Sequence, residues 1–180
     1  LPTFPVDDFA SFTSSDLPVI FSLTTVDMVH QIDMTLFAIS TEETRYYLNG
    51  IYFHKSDSGA LAAVSTDGQR LALARIDMPN GADAMPAIIL PRKAVGELRK
   101  LLDDAEGEMQ VALSETRAEF SFGSVRLTSK LIDGSFPDYT RVIPTGNDKM
   151  MTVDTGLFSS AVDRVSTISS EKSRSVKLSV

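Results

Sequence analysis

One supersecondary unit is written twice between residues 18 and 131, and this repeat constrains the fold more than any single residue does. In the first copy Val19-Ile20-Phe21-Ser22-Leu23 reads as a strand, and Thr24 with Asp27 three residues on resembles a capping box that opens a helix. Val29, Ile32, Leu36 and Ile39 then share one helical stripe, which predicts a helix from about Thr25 to Ile39 with a buried face. Three strand-like runs follow, at Tyr46 to His54, Ala60 to Ser65 and Arg70 to Ile76, the last two joined by the turn former Asp67-Gly68. After Pro79-Asn80-Gly81 the order returns: Ala87-Ile88-Ile89-Leu90, a helix from about Arg92 to Asp103, then runs at Met109 to Ser114, Ala118 to Phe122 and Val125 to Leu131. Two helices and about eight strands in this order predict an α+β fold, with duplicated strand-helix-three-strand units and both helices on one side of antiparallel sheets.

A third copy begins in the tail. Met151-Thr152-Val153 matches Phe21-Ser22-Leu23, Phe158, Val162 and Asp163 match Met28, Ile32 and Asp33, and Ser169 to Arg174 echo Ser40 to Arg45. The stripe Phe158, Ala161, Val162 and Val165 cannot be buried by so short a segment, so a longer natural chain is expected to continue past Val180. Pro137, Pro144 and Thr145-Gly146-Asn147-Asp148 break the pattern ahead of it and read as a linker. Residues 1–17 are rich in Pro, Ser and Asp and start without Met, which reads as a connector cut from a longer chain.

Composition narrows the chemistry. The chain lacks cysteine, so disulfides, thiolate zinc sites and thiol nucleophiles are excluded and a cytoplasmic location is the expectation. No apolar run approaches about 18 residues, so no membrane partner is expected. The net charge of −7, from 17 basic and 24 acidic residues, argues against a uniformly basic nucleic-acid coat and directs attention to local patches. His30 and His54 lie in different elements without ligand-spaced neighbours, so neither a metal nor a cofactor is expected. Phosphate-loop, dinucleotide and serine-elbow motifs are absent. Asp67, paired with Asp133 or Asp138, would suit an acid/base hydrolase; all three also sit beside Gly or Pro, where aspartates form turns.

The helix after Leu90 is more informative. At about 100° per residue, Arg92, Lys93, Arg99 and Lys100 gather within a third of the circle, opposite Val95, Leu98, Leu101 and Leu102. One face is expected in the core and the other presents cations, either as a solvated surface or turned toward phosphates. Asp103 lies on the same side one turn on and Glu97 at its edge, which moderates the patch. The companion helix carries no Lys or Arg. Arg45-Tyr46-Tyr47-Leu48 places a cation beside two aromatics, a mixture suited to nucleic-acid contact or stacking and equally to packing in a strand.

Taken together, Arg45-Tyr46-Tyr47-Leu48-Asn49-Gly50, Ser65-Thr66-Asp67-Gly68-Gln69-Arg70-Leu71-Ala72, Pro91-Arg92-Lys93 and Thr128 to Tyr139 resemble the bacterial DNA polymerase III beta subunit family, the sliding clamps. The resemblance implies the DNA clamp fold, with residues 1–17 ending a first domain, 18–145 forming the middle domain and 149–180 starting a third. It implies a non-catalytic processivity factor: a head-to-tail homodimeric ring around duplex DNA, with helices lining the hole. Arg45, Tyr46, Tyr47, Arg92, Lys93, Arg99 and Lys100 would then face DNA. It further implies a groove for linear peptides of the DNA polymerase III alpha subunit, the clamp loader and repair polymerases, at Leu48, Thr66, Gly68, Arg70, Leu71, Pro137, Arg141 and Val142. Position 69 is Gln where many of the family carry His, a change at the rim of that groove.

Overall fold

A computed structural model describes residues 17–168 and 176–179 of the chain. The connector expected over residues 1–17, Leu17 excepted, and the Ser169 to Arg174 echo lie outside the described residues. Two compact units are present, one ending at Pro137 and one beginning at Asp138.

In the first unit, β1 (Val19–Thr24) runs directly into α1 (Thr25–Thr35). Thr24 makes the junction: its Oγ1 accepts from the Asp27 amide at 3.0 Å and donates to the Asp27 carboxylate at 2.8 Å, satisfying an amide that the first helical turn leaves unpaired. α1 stops at Thr35, short of the expected Ile39, and Leu36–Ala38 tightens into a 3-10 turn. The physical reason is local. The Ser65 hydroxyl donates to the Thr35 carbonyl, the oxygen that a continuing helix would offer to Ile39, whose amide turns instead to the Leu36 carbonyl.

The three strands that follow are β2 (Gly50–Lys55), β3 (Leu61–Thr66) and β4 (Leu71–Ile76). The run expected from Tyr46 to His54 is therefore two elements, because Glu43–Leu48 forms 3-10 turns kinked at Arg45. Backbone bonds from Asn49 to Tyr46 at 3.0 Å and from Ser40 to Leu48 at 3.2 Å close that turn and reverse the chain before it enters the sheet. The second copy supplies β5 (Ile88–Pro91), α2 (Arg92–Leu101), β6 (Glu108–Leu113), β7 (Arg117–Phe122) and β8 (Val125–Lys130).

The strands form two antiparallel four-stranded sheets, ordered β1-β6-β7-β8 and β4-β3-β2-β5. The first strand of each copy thus leaves its own three strands and pairs with those of the other copy. Val19 lies opposite Leu113 and Thr24 opposite Glu108, while Gly50 lies opposite Pro91 and Phe53 opposite Ile88. This exchange means that neither copy completes a sheet alone. Both helices enter one continuous core with both sheets: Met28 and Ile32 from α1, Val95 and Leu98 from α2 with Leu102 at its C-cap, and Phe21, Ile51, Phe53, Leu90, Met109 and Phe120 from the strands. Each fully buried Leu or Phe contributes roughly 1.5–3 kcal/mol of transfer free energy.

Leu101 departs from the expected core face and is 41% exposed. Its direction lies about a quarter-turn from the line through Val95, Leu98 and Leu102, so it sits on the flank of the helix. Beyond β8 the chain returns across the second sheet: the Ile132 amide donates to the Ile89 carbonyl at 3.0 Å, and the Phe136 ring stacks on Tyr52 with centroids 4.7 Å apart.

In the second unit, the Asp138 carboxylate accepts from the Thr140 amide and opens a 3-10 turn, Tyr139–Val142. α3 (Thr155–Ser166) follows, capped by Asp154, whose carboxylate accepts from the Leu157 amide at 2.8 Å. Met151 to Val153, expected to extend as a strand, has no regular structure, since a strand needs a neighbour and none of the described residues here supplies one. No residue of α3 is buried, and its stripe of Phe158, Ala161, Val162 and Val165 is at least partly open to solvent.

Candidate functional site

The four cations on α2 share a face, as the spacing predicts, but their surroundings divide them into two pairs. Arg92 and Lys93 occupy the first turn, behind Pro91, which offers no side-chain cap; the Arg92 amide is satisfied by the Asn49 carbonyl at 2.9 Å. Both side chains are exposed, and among the described residues neither has an ion-pair partner. This end of the helix carries the positive pole of the backbone dipole, where a cation is disfavoured by about 0.3–1 kcal/mol. Among the described residues no acidic partner offsets that cost. Two unpartnered cations added to a helix N-terminus form a surface suited to anions.

Arg99 and Lys100 sit in the last turn, where the dipole favours them. Arg99 is further engaged: Nε lies 2.6 Å and Nη2 3.2 Å from the two Asp33 oxygens on α1, and Nη1 lies 2.5 Å from Asp103. Hydrogen bonds to Asp33 and then Asp103 raise its pKa still further above the ordinary guanidinium value, so its charge is fixed and internally matched. Lys100 Nζ pairs with Glu97 at 3.0 Å. The exposed face of α1 beside it bears Val26, His30, Asp33 and Met34, and Phe37 is exposed on the 3-10 turn that follows.

Arg45 donates from Nε to Glu42 at 2.7 Å and from Nη2 to the same oxygen, and these bonds, followed by the Thr44 hydroxyl, hold the Glu42 carboxyl below its usual range. Its Nη1 rests over Gly68, 2.7 Å from where a Cβ would be. The 43–48 turn and the β3–β4 turn thereby meet at an open concavity of about 540 Å³ whose lining includes Phe37, Arg45, Asp67, Gln69, Arg70 and Arg92. Tyr46 is 54% exposed and meets Tyr47 edge to face, 5.8 Å between centroids. Tyr47 is half-buried against Gly134. The exposed ring is free to stack; its neighbour is held by packing.

The residues expected in a peptide groove fall in both units. Thr66, Gly68, Arg70 and Leu71 belong to one hairpin, in which Thr66 lies opposite Leu71. Thr66 Oγ1 donates to the Arg70 carbonyl at 2.7 Å and accepts from the Gly68 amide at 3.1 Å, while Gly68 takes φ +91°, a left-handed conformation that glycine adopts without strain. Arg70 pairs with Asp67 and lies 5.7 Å above the Phe37 ring. Leu48 is only 3% exposed and is a core residue, while Leu71 is partly open. Pro137 is exposed at the end of the first unit. In the second unit Arg141 and Val142 are exposed, with Arg141 Nε 2.8 Å from Asp138.

Two of the three carboxylates considered for acid/base work, Asp67 and Asp138, are otherwise occupied. Burial pushes the Asp67 carboxyl up, but hydrogen bonds from the Arg70 and Gln69 amides and the Arg70 guanidinium bring it below its ordinary value. The Thr140 hydroxyl, with its amide and Arg141, lowers Asp138. Both are held ionised, the reverse of the raised carboxylic acid that glycoside-type hydrolysis needs. Asp133 lines a separate open hollow with Glu115, Arg117 and Lys130. Among the described residues no group of three potential ligands is placed to hold a metal ion, and no helix is long and apolar enough to cross a membrane. His54 stacks on Tyr52 at 4.6 Å.

Sequence reasoning missed Asp33 as a site residue. Its pairing with Arg99 spans 66 positions, and no local pattern carries that signal. Phe37 was also missed, because the Arg70 guanidinium that lies over its ring comes from a strand turn far along the chain.

The family model for the DNA polymerase III beta subunit, central domain, matches residues 22–138, and that for the C-terminal domain matches residues 140–180. The Beta sliding clamp of Caulobacter vibrioides is 51% identical over 183 aligned residues, covering 100% of this chain and 49% of the relative. That of Escherichia coli is 37% identical, covering 100% of this chain and 49% of its own length. Among solved structures, the Bartonella birtlesii DnaN sliding clamp bound to griselimycin is 53% identical with a TM-score of 0.88, over 93% of this chain and 46% of that one. A Caulobacter crescentus beta sliding clamp with PEG bound is 49% identical with a TM-score of 0.90, over 96% and 46%. The chain spans about half the length of the curated relatives it matches.

Proposed function

Because the chain belongs to the DNA polymerase III beta-subunit family, the sliding clamps, we propose that it is part of a non-catalytic processivity factor that encloses duplex DNA. The observation that carries this reading is the pair Arg92 and Lys93, exposed at the positive end of α2 with no acidic partner among the described residues. A ring that retains DNA by enclosure needs only modest phosphate contacts: enough to centre the duplex, too few to stop it sliding. The chain as a whole is at −7 despite that patch, and an acidic remainder repels DNA, which favours the same arrangement.

In this reading residues 18–145 are the middle domain of a three-domain protomer, 149–180 open the third domain and 1–17 end the first, two protomers closing head to tail. Arg92 and Lys93 supply the main phosphate contacts, Arg99 and Lys100 lie on the same face with their charge internally matched, and Arg45, Tyr46 and Tyr47 meet an opened or single-stranded template. Leu48, Thr66, Gly68, Arg70 and Leu71, with Pro137, Arg141 and Val142, form the groove for linear peptides of the polymerase III alpha subunit, the clamp loader and repair polymerases. The location is the cytoplasm, where the chromosome is copied.

The test is retention of the full-length protein on nicked circular DNA. The native protein should stay on the circle and leave when the DNA is linearised, and R92E/K93E should shorten its lifetime on the circle and flatten the salt dependence of binding. Retention that survives linearisation, or that ignores the charge reversal, contradicts the proposal.

A further inference from the structure

The second pair of cations on α2 has a different role, and resting on the DNA-facing reading above, we propose that Asp33 and Asp103 set how firmly this face holds DNA by keeping Arg99 off the phosphates. Three observations lead here. First, Arg99 spends three of its donors internally: Nε and Nη2 on Asp33, at 2.6 and 3.2 Å, and Nη1 on Asp103 at 2.5 Å. A guanidinium has five N–H groups in a rigid fork, and this one has committed its bidentate edge, the geometry that phosphate also uses.

Second, structural need is a weak explanation for the arrangement. The Asp33 side chain is 46% exposed and that of Asp103 67% exposed, and ion pairs so open to solvent contribute little to stability. The core beneath is already closed by Val95 and Leu98 on α2, Leu102 at its C-cap, and Met28 and Ile32 on α1.

Third, the charge balance changes sign along the helix. The N-terminal end presents Arg92 and Lys93 unmatched, whereas two carboxylates surround one guanidinium at the other end, and Glu97 matches Lys100. The face is thus attractive to phosphate at one end and neutral to repulsive at the other. A duplex passing such a face meets one narrow band of attraction per helix, which limits the number of phosphates engaged at once and lowers the barrier to translation. Asp33 and Asp103 act through Arg99, as positioning residues.

The experiment compares the full-length protein with D33N, D103N and D33N/D103N, measuring affinity for duplex DNA as a function of salt and, on loaded circles, the one-dimensional diffusion coefficient. Freeing Arg99 adds up to one phosphate contact per protomer, so the log–log salt slope of D33N/D103N should steepen by about 0.9 per protomer, and diffusion should slow. D103N alone, at the exposed end of the helix, should show part of the effect. Adding R99Q to the double variant should remove the gain, which a purely structural role for the aspartates does not predict. A lowered melting temperature in D33N or D103N with an unchanged slope identifies a simple strut and overturns the proposal. If that result accompanies a flattened slope in R92E/K93E, the DNA-facing reading survives alone; an unchanged slope in R92E/K93E overturns both.

Discussion

Replacing Gly50 by Ala tests the strand exchange on which the first unit depends. A Cβ at this position would lie 2.3 Å from the Leu90 carbonyl oxygen and 2.9 Å from its carbon, where ordinary contact is 3.4–4 Å. The obstacle is backbone, so β2 and β5 would have to part by roughly 1 Å. Ile51 and Leu90, both fully buried, fix that spacing. The expected cost is the upper end of overpacking, about 3 kcal/mol, from a total that for a domain is about 5–15 kcal/mol. At about 2–4 °C per kcal/mol this lowers the melting temperature by about 6–12 °C. Gly96 supplies the opposite sign for the same chemical change: it lies within α2 with nothing within 4 Å of the added carbon, so G96A should gain about 0.5–1 kcal/mol from helix propensity. Thermal unfolding followed by circular dichroism, with urea midpoints as a check, separates the two. A G50A protein that melts with the parent refutes the argument, because it would mean that β5 does not sit against β2 as described.

Two further outcomes follow from the helix and the turn. L98A should cost about 2–5 kcal/mol and L101A less than about 1 kcal/mol in urea titrations, since Leu98 is fully buried and Leu101 is 41% exposed; equal losses would place Leu101 in the core after all. The Asp67 carboxyl, lowered in the folded chain, contributes stability that is complete above the ordinary carboxylate range and is lost as pH falls through its folded value. Its NMR titration midpoint should lie below that of free aspartate, and D67N should lose the corresponding part of the acid-unfolding curve; a midpoint at or above the free value contradicts the turn geometry.

The repeat made the order of elements legible, and the cap at Thr24 and the turn at Asp67-Gly68 were readable because each depends on neighbours in sequence. What stayed hidden depends on distance along the chain. The pairing of β1 with β6 and of β5 with β2 leaves no local mark, since either copy could have closed its own sheet with the same hydrophobic pattern. Tyr46 and Tyr47 favour strands by residue type, yet the bonds from Asn49 to Tyr46 and from Ser40 to Leu48 hold them in a turn. A helical wheel grouped Leu101 with Leu98 because both are apolar, but it cannot say how wide the core-facing stripe is.

The same limit applies to the basic face. A wheel counts charges and assigns them a direction; it does not show which are already answered. On α2, Arg99 and Lys100 sit at the dipole's negative end, which favours cations, and carboxylates beside them already answer their charge. Arg92 and Lys93 break the rule at the opposite end and receive no compensation within the described fold. Local choices that oppose the fold persist where something outside the fold rewards them. By that reasoning the residues that contribute least to stability on this helix are the ones to which the proposed contact with DNA is assigned.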